Sequence, residues 1–254
     1  MSAAPPKIQV RQVGMTYSVD GRETKVLGAM DLDVKEGEFV VLVGPSGCGK
    51  TTLLNIIAGF LQATSGEVLI DGALVSGPDR RRIFVFQERG VFPWLTVAGN
   101  IAFGLTELSG DERKQRIRHY VDLVRLTGFE GSYPAELSGG MKQRVEVARA
   151  LAMNPDILFL DEPFGALDSI SRLNMRRELL RIWMAEKKTI LFVTHDIDES
   201  VQLADKIVVM GQRGTERVLR TVDVNLPHPR DISDPRYLSI RDSILEAIGL
   251  AHQV

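Results

Sequence analysis

The feature that most constrains this chain is a glycine-rich loop that joins a strand pattern to a helix pattern. The segment Gly44–Thr51 reads GPSGCGKT and satisfies the spacing G-x-x-x-x-G-K-[ST]. The apolar run EFVVLV precedes it and the helical run KTTLLNIIAGF overlaps its end, which is the context that a phosphate-binding loop requires. In such a loop Lys50 reaches the β- and γ-phosphates and Thr51 ligates Mg²⁺. The sequence therefore predicts a P-loop nucleotide site made of Gly44, Pro45, Ser46, Gly47, Cys48, Gly49, Lys50, Thr51 and Thr52.

Composition limits the class of protein. With 254 residues, of which 44% are hydrophobic, the chain is long enough for one α/β unit with an appendage. Its net charge of −2 shows no excess of the positive charge that nucleic-acid-binding proteins carry, so no nucleic-acid partner is expected. The single cysteine, Cys48, excludes an intrachain disulfide and suits a reducing compartment. No run approaches the roughly 20 apolar residues of a membrane span, and the start MSAAPPK lacks a signal-peptide pattern. A cytosolic protein is therefore expected.

The hydrophobic pattern predicts an α/β fold with a parallel sheet. Fully apolar runs such as ILFL favour strands that are covered on both faces. Residues 7–43 are rich in strands and turn signals, which predicts an N-terminal antiparallel β subdomain beside the P-loop core. Residues 96–153 are mainly helical, and Ser109 and Glu112 have the spacing of a capping box. This region is predicted to be an inserted helical subdomain.

The predicted boundaries follow from these patterns. A tail at 1–6 precedes the ATPase domain at 7–210, and a C-terminal extension occupies 211–254. The extension contains SDPRYLSIRDSILEAIG, which predicts a final helix. Ser233 or Asp234 would cap this helix, with Pro235 at its first position.

An acidic pair after an apolar strand is the second candidate for chemistry. The run ILFLDEP places Asp161 at the C-terminal end of its strand, where ligands of open α/β sheets bind. Asp161 can hold Mg²⁺ through a water, and Glu162 can orient or deprotonate an attacking water. Pro163 favours an extended conformation for Glu162. The alternative is a solvated acidic pair without a catalytic role.

Two further polar residues are predicted at strand ends. His195 follows the strand pattern KTILFVT, and Asp196 and Glu199 after it could cap the next helix. A histidine at this place can donate a hydrogen bond to a γ-phosphate. Gln87 ends RIFVFQ, where its amide could contact Mg²⁺ or water, or could simply cap a turn.

A second glycine loop, LSGG, occupies Leu137–Gly140 and runs into the helical pattern VEVARALA. Such a loop offers backbone N–H groups to an anion at a helix N-terminus. With the P-loop, ILFLDEP and the strand-end histidine, it makes the chain resemble the ATP-binding cassette (ABC) ATPases over about residues 7–210. In that family two subunits pair head to tail, and LSGG of one closes on the ATP held by the other. The resemblance implies an ATP- and Mg²⁺-dependent homodimer.

The same resemblance assigns roles to individual residues. It implies that Ser138, Gly139, Gly140 and Met141 face the partner's ATP, although the family usually has Gln where this chain has Met141. The remaining implied roles are adenine stacking by Tyr17, a link from Mg²⁺ to the membrane partner by Gln87, a dimer contact by Asp168 of GALD, and the switch function of His195.

The apolar segment VFPWLTVAGNIAFGL follows shortly after Gln87. Phe92, Pro93 and Trp94 within it could be core residues, or, by the resemblance, could form the groove that receives a helix of a membrane subunit. The combination of VFPW, LSGGM and DEPFGALD is similar to importer ATPases of the nitrate, sulfonate and taurine group.

That similarity implies the ATPase of a small-anion importer on the cytoplasmic face of the membrane. Its partners would be two permease subunits and, indirectly, a periplasmic or extracellular solute-binding protein. The alternatives are a soluble ABC protein acting on ribosomes or nucleic acid, and the ATPase of an exporter or lipid-extraction complex. The exporter and lipid-extraction ATPases would share the catalytic residues.

Overall fold

Strands and helices of this chain form a mixed α/β fold, which is the predicted class. The computed structural model describes residues 5–19, 21–86, 90–165, 167–212 and 218–249. The strands are β1 (Ile8–Val19), β2 (Arg22–Val34), β3 (Phe39–Val43), β4 (Ser65–Ile70), β5 (Ala73–Leu74), β6 (Arg82–Val85), β7 (Ile157–Asp161), β8 (Thr189–Thr194), β9 (Lys206–Met210) and β10 (Val218–Asp223). The α-helices are α1 (Lys50–Ala58), α2 (Val97–Ala102), α3 (Gly110–Leu123), α4 (Gly139–Ala152), α5 (Ser169–Glu186), α6 (Ile197–Leu203) and α7 (Pro235–Ala247).

The structure divides into two compact units. The first contains the described residues up to Asp79 and those from Thr189 onward. The second is Arg80–Lys188. The second unit therefore contains the helices of the predicted segment 96–153 together with β6, β7 and α5.

An antiparallel sheet begins the first unit. Its strand order is β2-β1-β4-β5, with β1 antiparallel to both of its neighbours. Ile8 of β1 lies opposite Val34 on one side and Ile70 on the other, and both Ile8 and Val34 are fully buried. This sheet confirms the predicted N-terminal antiparallel β subdomain.

Parallel strands carry the glycine-rich loop. In the first unit β3 lies between β8 and β9, with Phe39 opposite Ile190 and Val40 opposite Lys206. Every residue of β3 is buried, because both faces of a parallel sheet are covered. The loop that follows β3 leads directly into α1. It therefore emerges at the C-terminal edge of the parallel strands, where α/β proteins bind ligands.

The C-terminal extension packs within the first unit. Asp234 is the N-cap of α7 and accepts a hydrogen bond from the Arg236 amide. Tyr237 is 1% exposed, and its hydroxyl donates to Asp198 Oδ1 at 3.0 Å, at the start of α6. Arg230 donates to the carbonyls of Val201, Val224 and Leu226. Burial lowers the pKa of Arg230 to about 10. The predicted final helix is confirmed, with Asp234 as its cap, and buried polar contacts attach it to α6.

The second unit combines a parallel strand pair with helices. β6 and β7 pair in parallel, with Arg82 opposite Ile157. Both α2 and α3 pack against α4. Ser109 and Glu112 form the predicted capping box at the start of α3. Among the helices of the described residues in either unit, none has both the length and the apolar character needed to cross a membrane.

Candidate active site

The phosphate-loop sequence adopts a conformation that requires glycine at two points. A Cβ atom on Gly49 would lie 2.6 Å from Leu27 Cδ2, and Gly49 also has a φ of 101°. A Cβ atom on Gly44 would lie 2.4 Å from the carbonyl oxygen of Met210. Leu27 of β2 and Met210 of β9 therefore lie so close to the loop that a larger residue at position 49 or 44 would displace it. Cys48 is buried as a free thiol within it.

The Lys50 side chain lies within the phosphate loop and is hydrogen-bonded to the loop backbone. It is buried, and Nζ donates to the carbonyls of Gly44 at 2.8 Å and Pro45 at 3.0 Å. Gly49 is the N-cap of α1 and makes no side-chain cap, so the first amides of this helix depend on other acceptors. Thr51 in the first turn is exposed. A cation, helix-terminal amides and an exposed hydroxyl therefore occur together, and this donor set fits a polyphosphate with a bound divalent cation.

His195 follows β8 within a buried hydrogen-bonded network. Thr194 Oγ1 donates to Glu199 Oε2 at 2.6 Å, and both residues are buried. The Asp196 amide donates to Thr194 Oγ1 at 3.0 Å, and the Asp196 carboxylate caps α6 by accepting from the Glu199 amide at 3.0 Å. His195 itself is exposed. The network therefore fixes the backbone on either side of an accessible imidazole.

Asp161 and Glu162 lie at the end of β7 in the second unit. Asp161 is 6% exposed, and Glu162 is half-buried. The prediction that Pro163 gives Glu162 an extended backbone is wrong, because Glu162 has a φ of 43°. The Glu162 carbonyl accepts from the Gly165 amide at 3.1 Å, so Glu162 is the first residue of a tight turn. A left-handed conformation costs about 1–3 kcal/mol in a residue other than glycine and occurs often at functional sites.

The loop around Phe92 is held by a charged pair of α4. Gly90 donates its N–H to Glu146, and its carbonyl accepts from Arg149 Nη1 at 2.7 Å. The Arg149 guanidinium also lies 4.7 Å from the centre of the Phe92 ring. Burial lowers the pKa of Arg149, and Glu146 opposes this shift. The pair thus binds the backbone and one aromatic ring of the same loop.

Asn100 of α2 fixes the rest of this loop. It is fully buried, and its Nδ2 donates to the carbonyls of Phe92, Leu95 and Thr96 at 3.0–3.1 Å. Its Oδ1 accepts from the Phe92 amide at 2.8 Å. Trp94 projects from the ordered loop and is 67% exposed.

Phe92 is half-buried, Pro93 is exposed, and the Phe92 ring centre lies 5.4 Å from that of Trp94 and 4.4 Å from that of Phe103. Phe103 is also exposed. Of the two alternatives left by the sequence, a core position does not describe Trp94. We call Phe92, Pro93, Trp94 and Phe103 the aromatic surface.

The LSGG segment opens α4. Ser138 is the exposed N-cap, and its Oγ accepts from the Met141 amide at 3.3 Å. A Cβ atom on Gly140 would meet nothing within 4 Å, so open space lies beside the first turn. Gly139 and Met141 are half-buried.

The remaining predicted positions lie in different surroundings. Asp168 is exposed and caps α5 by accepting from the amides of Ile170 at 3.1 Å and Ser171 at 3.0 Å. Hydrogen bonds from Ser171 lower the pKa of Asp168. Tyr17 lies on β1 and is 37% exposed, so it is not a core aromatic. Gln87 lies outside the described residues.

The sequence interpretation did not identify the residues that hold these segments in place. Asn100, Glu146 and Arg149 support the loop before α2, and Thr194 supports the histidine turn. Asn100 carried a usable signal, since it is a polar residue inside the apolar run VAGNIAFGL. Glu146 and Arg149 gave none, because their partner Gly90 is 56 and 59 positions away.

Comparisons with known proteins agree with this arrangement. The sequence model of the ABC transporter family matches residues 27–165. The chain is 44% identical over 241 residues to the aliphatic sulfonates import ATP-binding protein of Bacillus cereus, covering 91% of this chain and 95% of that protein. It is 45% identical over 245 residues to an uncharacterized ABC transporter ATP-binding protein of Methanocaldococcus jannaschii, covering 95% and 91% respectively.

A solved structure has a similar fold. It is a dimeric ATP-binding cassette in a post-hydrolysis state bound to ADP and Pi. The TM-score is 0.74 and the sequences are 34% identical, over 87% of this chain and 100% of that one.

Proposed function

Because the chain belongs to the ABC transporter family of ATP-binding proteins, we propose that it is the ATP-hydrolysing subunit of an importer for aliphatic sulfonates or similar small anions. The observation that carries the proposal is a constrained P-loop, with Lys50 inside it, in a chain that is 44% identical to a sulfonate import ATP-binding protein. A sulfonate is a small anion, which agrees with the solute class implied by the VFPW, LSGGM and DEPFGALD segments.

The P-loop would bind the phosphates of ATP. Lys50 and the first amides of α1 supply positive charge and N–H donors to the β- and γ-phosphates. Tyr17, which is partly exposed on β1, would stack on the adenine. Thr51 and Asp161 would hold Mg²⁺, with Gln87 as a further ligand. When bound, the ion neutralises charge on the phosphate oxygens.

Glu162 and His195 would act on the γ-phosphate. The Glu162 carboxylate accepts a proton from water as the water oxygen attacks phosphorus and the bond to the bridging oxygen of ADP breaks. His195 donates a hydrogen bond to the γ-phosphate, where its exposed position leaves the imidazole accessible. The strained backbone of Glu162 fits a residue whose carboxylate must be held in one place.

Two copies of the chain would form the working unit. Ser138 and the amides of Gly139 and Gly140, followed by Met141, would contact the ATP held by the partner. The open space beside Gly140 leaves room for a phosphate at the start of α4. Asp168 would contact the other subunit from the start of α5. An isologous pair of this kind is the commonest oligomer geometry.

The aromatic surface would receive the permease. An exposed cluster of aromatic side chains on a loop that buried hydrogen bonds hold rigid is suited to a helix-in-groove contact. The dimer would therefore work on the cytoplasmic face of the membrane beneath two permease subunits. A solute-binding protein on the opposite side would select the solute.

Substitution of Glu162 tests the proposed chemistry. Glu162→Gln should retain ATP binding, lose hydrolysis and accumulate an ATP-bound dimer in gel filtration with Mg²⁺-ATP. Lys50→Ala should instead weaken nucleotide binding, because it removes charge from the phosphates. Glu36→Gln makes the same chemical change at an exposed position and should behave as wild type. Near-normal turnover in Glu162→Gln would reassign the base.

Transport requires a separate measurement. The subunit would be reconstituted with its cognate permease and binding protein in vesicles, and ATP-driven uptake of an alkanesulfonate, taurine and nitrate compared. Uptake of the alkanesulfonate in preference to the others is expected. ATP hydrolysis without uptake of any of the three would contradict the proposed solute class and leave the ATPase assignment intact.

A further inference from the structure

A cavity of about 490 Å³ in the second unit is lined mainly by arginines. Its side chains come from the turn after α3, from α4 and from α5, and they are Arg125, Arg144, Asn174, Arg177, Glu178 and Arg181. Four positive side chains accompany one carboxylate, so the lining carries an excess of three positive charges. The volume is in the range of small-molecule sites. No P-loop residue lines this cavity.

Contacts within the lining leave much of this charge uncompensated. Glu178 is the one carboxylate, and it pairs with Arg181 at 2.5 Å and with Arg125 at 3.6 Å. The Nε atom of Arg181 is buried without a hydrogen-bond partner. In the part of the chain that the structure describes, Arg144 and Arg177 have neither a hydrogen bond nor an ion pair. Guanidinium groups that remain unpaired around one cavity repel each other unless an anion lies between them.

We propose that this cavity binds a small soluble polyanion that carries two phosphate groups or comparable oxyanions. The planar donor fork of arginine matches the oxygens of phosphate in a bidentate way. Asn174 adds an uncharged amide that can donate to a further oxygen. A single phosphate would use part of the donors and leave the rest of the volume to water, whereas two linked groups can reach Arg144 and Arg177 together.

The position of the cavity gives its occupant a structural effect. Arg144 lies on α4, whose N-cap is Ser138, and Arg177 lies on α5, whose N-cap is Asp168. α4 and α5 pack against each other. A polyanion bound to both arginines would therefore join the two helices that begin at the segments proposed to face the partner subunit.

Calorimetry with inorganic pyrophosphate tests the site on the full chain. The protein is first saturated with Mg²⁺-ADP so that the P-loop is filled, and pyrophosphate is then titrated. One pyrophosphate per chain should bind. Arg177→Gln, a change at an exposed residue, should weaken binding by about tenfold or more, since each charge-assisted contact contributes about that factor. Arg144→Gln/Arg177→Gln should weaken it further.

Matched variants separate this site from other sources of binding. Arg22→Gln/Arg118→Gln removes the same charge at exposed positions outside the cavity and should bind as wild type. Lys50→Ala should also keep the pyrophosphate signal, whereas its loss there would place the ligand in the P-loop and overturn the proposal. Absence of binding to the wild type, or equal binding in both cavity variants, would overturn it as well.

A vesicle assay distinguishes a lipid headgroup from a soluble ligand. The chain is sedimented with phosphatidylcholine vesicles with and without phosphatidylglycerol. Binding of pyrophosphate without binding to the anionic vesicles supports the soluble polyanion. Binding to the anionic vesicles alone, lost in Arg144→Gln/Arg177→Gln, would refute it in favour of a lipid phosphate.

Discussion

Replacement of Asn100 by alanine should destabilise the chain and disable the aromatic surface. In the wild type, the Nδ2 group contacts three carbonyls with two hydrogens, and Oδ1 accepts from the Phe92 amide. Two of the carbonyls keep a backbone donor after the change, because the Leu95 amide contacts the Phe92 carbonyl at 3.2 Å and the residue-100 amide contacts that of Thr96 at 2.8 Å. The Phe92 amide and the Leu95 carbonyl lose the Asn100 partner.

The loss of stability can be estimated from the Phe92 amide and the Leu95 carbonyl, which the substitution leaves without Asn100. A buried polar group left without a partner costs about 1–3 kcal/mol. At about 2 kcal/mol for each of the two groups, the free energy of unfolding should fall by about 4 kcal/mol. In a chain of this size, 1 kcal/mol lowers Tm by about 2–4 °C. The expected decrease in Tm is therefore about 8–16 °C.

Differential scanning fluorimetry on the isolated subunit measures this change. Asn225→Ala, at an exposed position, should leave Tm unaltered. With the permease present, Asn100→Ala should also lose stimulation of ATP hydrolysis, because the loop that carries Trp94 is no longer fixed. A Tm equal to that of the wild type would show that water or other groups replace the amide, and the reasoning from buried hydrogen bonds would then be wrong.

Three further outcomes are expected. Trp94→Ala should keep the Tm and basal ATPase of the isolated subunit, because the side chain is 67% exposed, but should lose stimulation by the permease; a large fall in Tm would instead make Trp94 a core residue. Met141→Gln should change steady-state hydrolysis by less than about tenfold, or about 1.4 kcal/mol of barrier, since it is the Met141 amide that contacts Ser138. Mixed dimers of Ser138→Arg with Lys50→Ala should keep one working site and hydrolyse ATP, whereas failure even to form an ATP-bound dimer would contradict the assignment of Ser138 to the partner's ATP.

The predictable parts of the site depend on residues close together in sequence. The P-loop, the capping box of Ser109 and Glu112, and the Asp234 cap of α7 each lie within one short segment. Their chemistry is therefore visible in the spacing of residue types. The parallel strands were predictable for a related reason, because a strand buried on both faces must be apolar throughout.

The unpredicted parts depend on contacts between distant segments or on competing local effects. Arg125, Arg144 and Arg177 line one cavity although they belong to three elements, and no spacing in the sequence indicates that they meet. The backbone of Glu162 illustrates the second case. The residue before a proline avoids the right-handed helical region, but this preference does not decide between extended and left-handed conformations. Glu162 adopts the left-handed one, at the first residue of the turn closed by Gly165.

The contacts of α4 give a physical reason for the aromatic surface and the LSGG segment to move together. Glu146 and Arg149 bind both backbone polar groups of Gly90, and the helix that carries them begins at Ser138. At about 1.5–3 kcal/mol for a hydrogen bond to a charged group, separating this loop from α4 would cost about 3 kcal/mol or more. A hydrogen-bonded helix of fourteen residues is displaced as one rigid element. A permease helix that displaces Phe92 would therefore move Ser138 and the glycine amides with it, and this movement would connect the proposed permease contact with the ATP that LSGG is proposed to face.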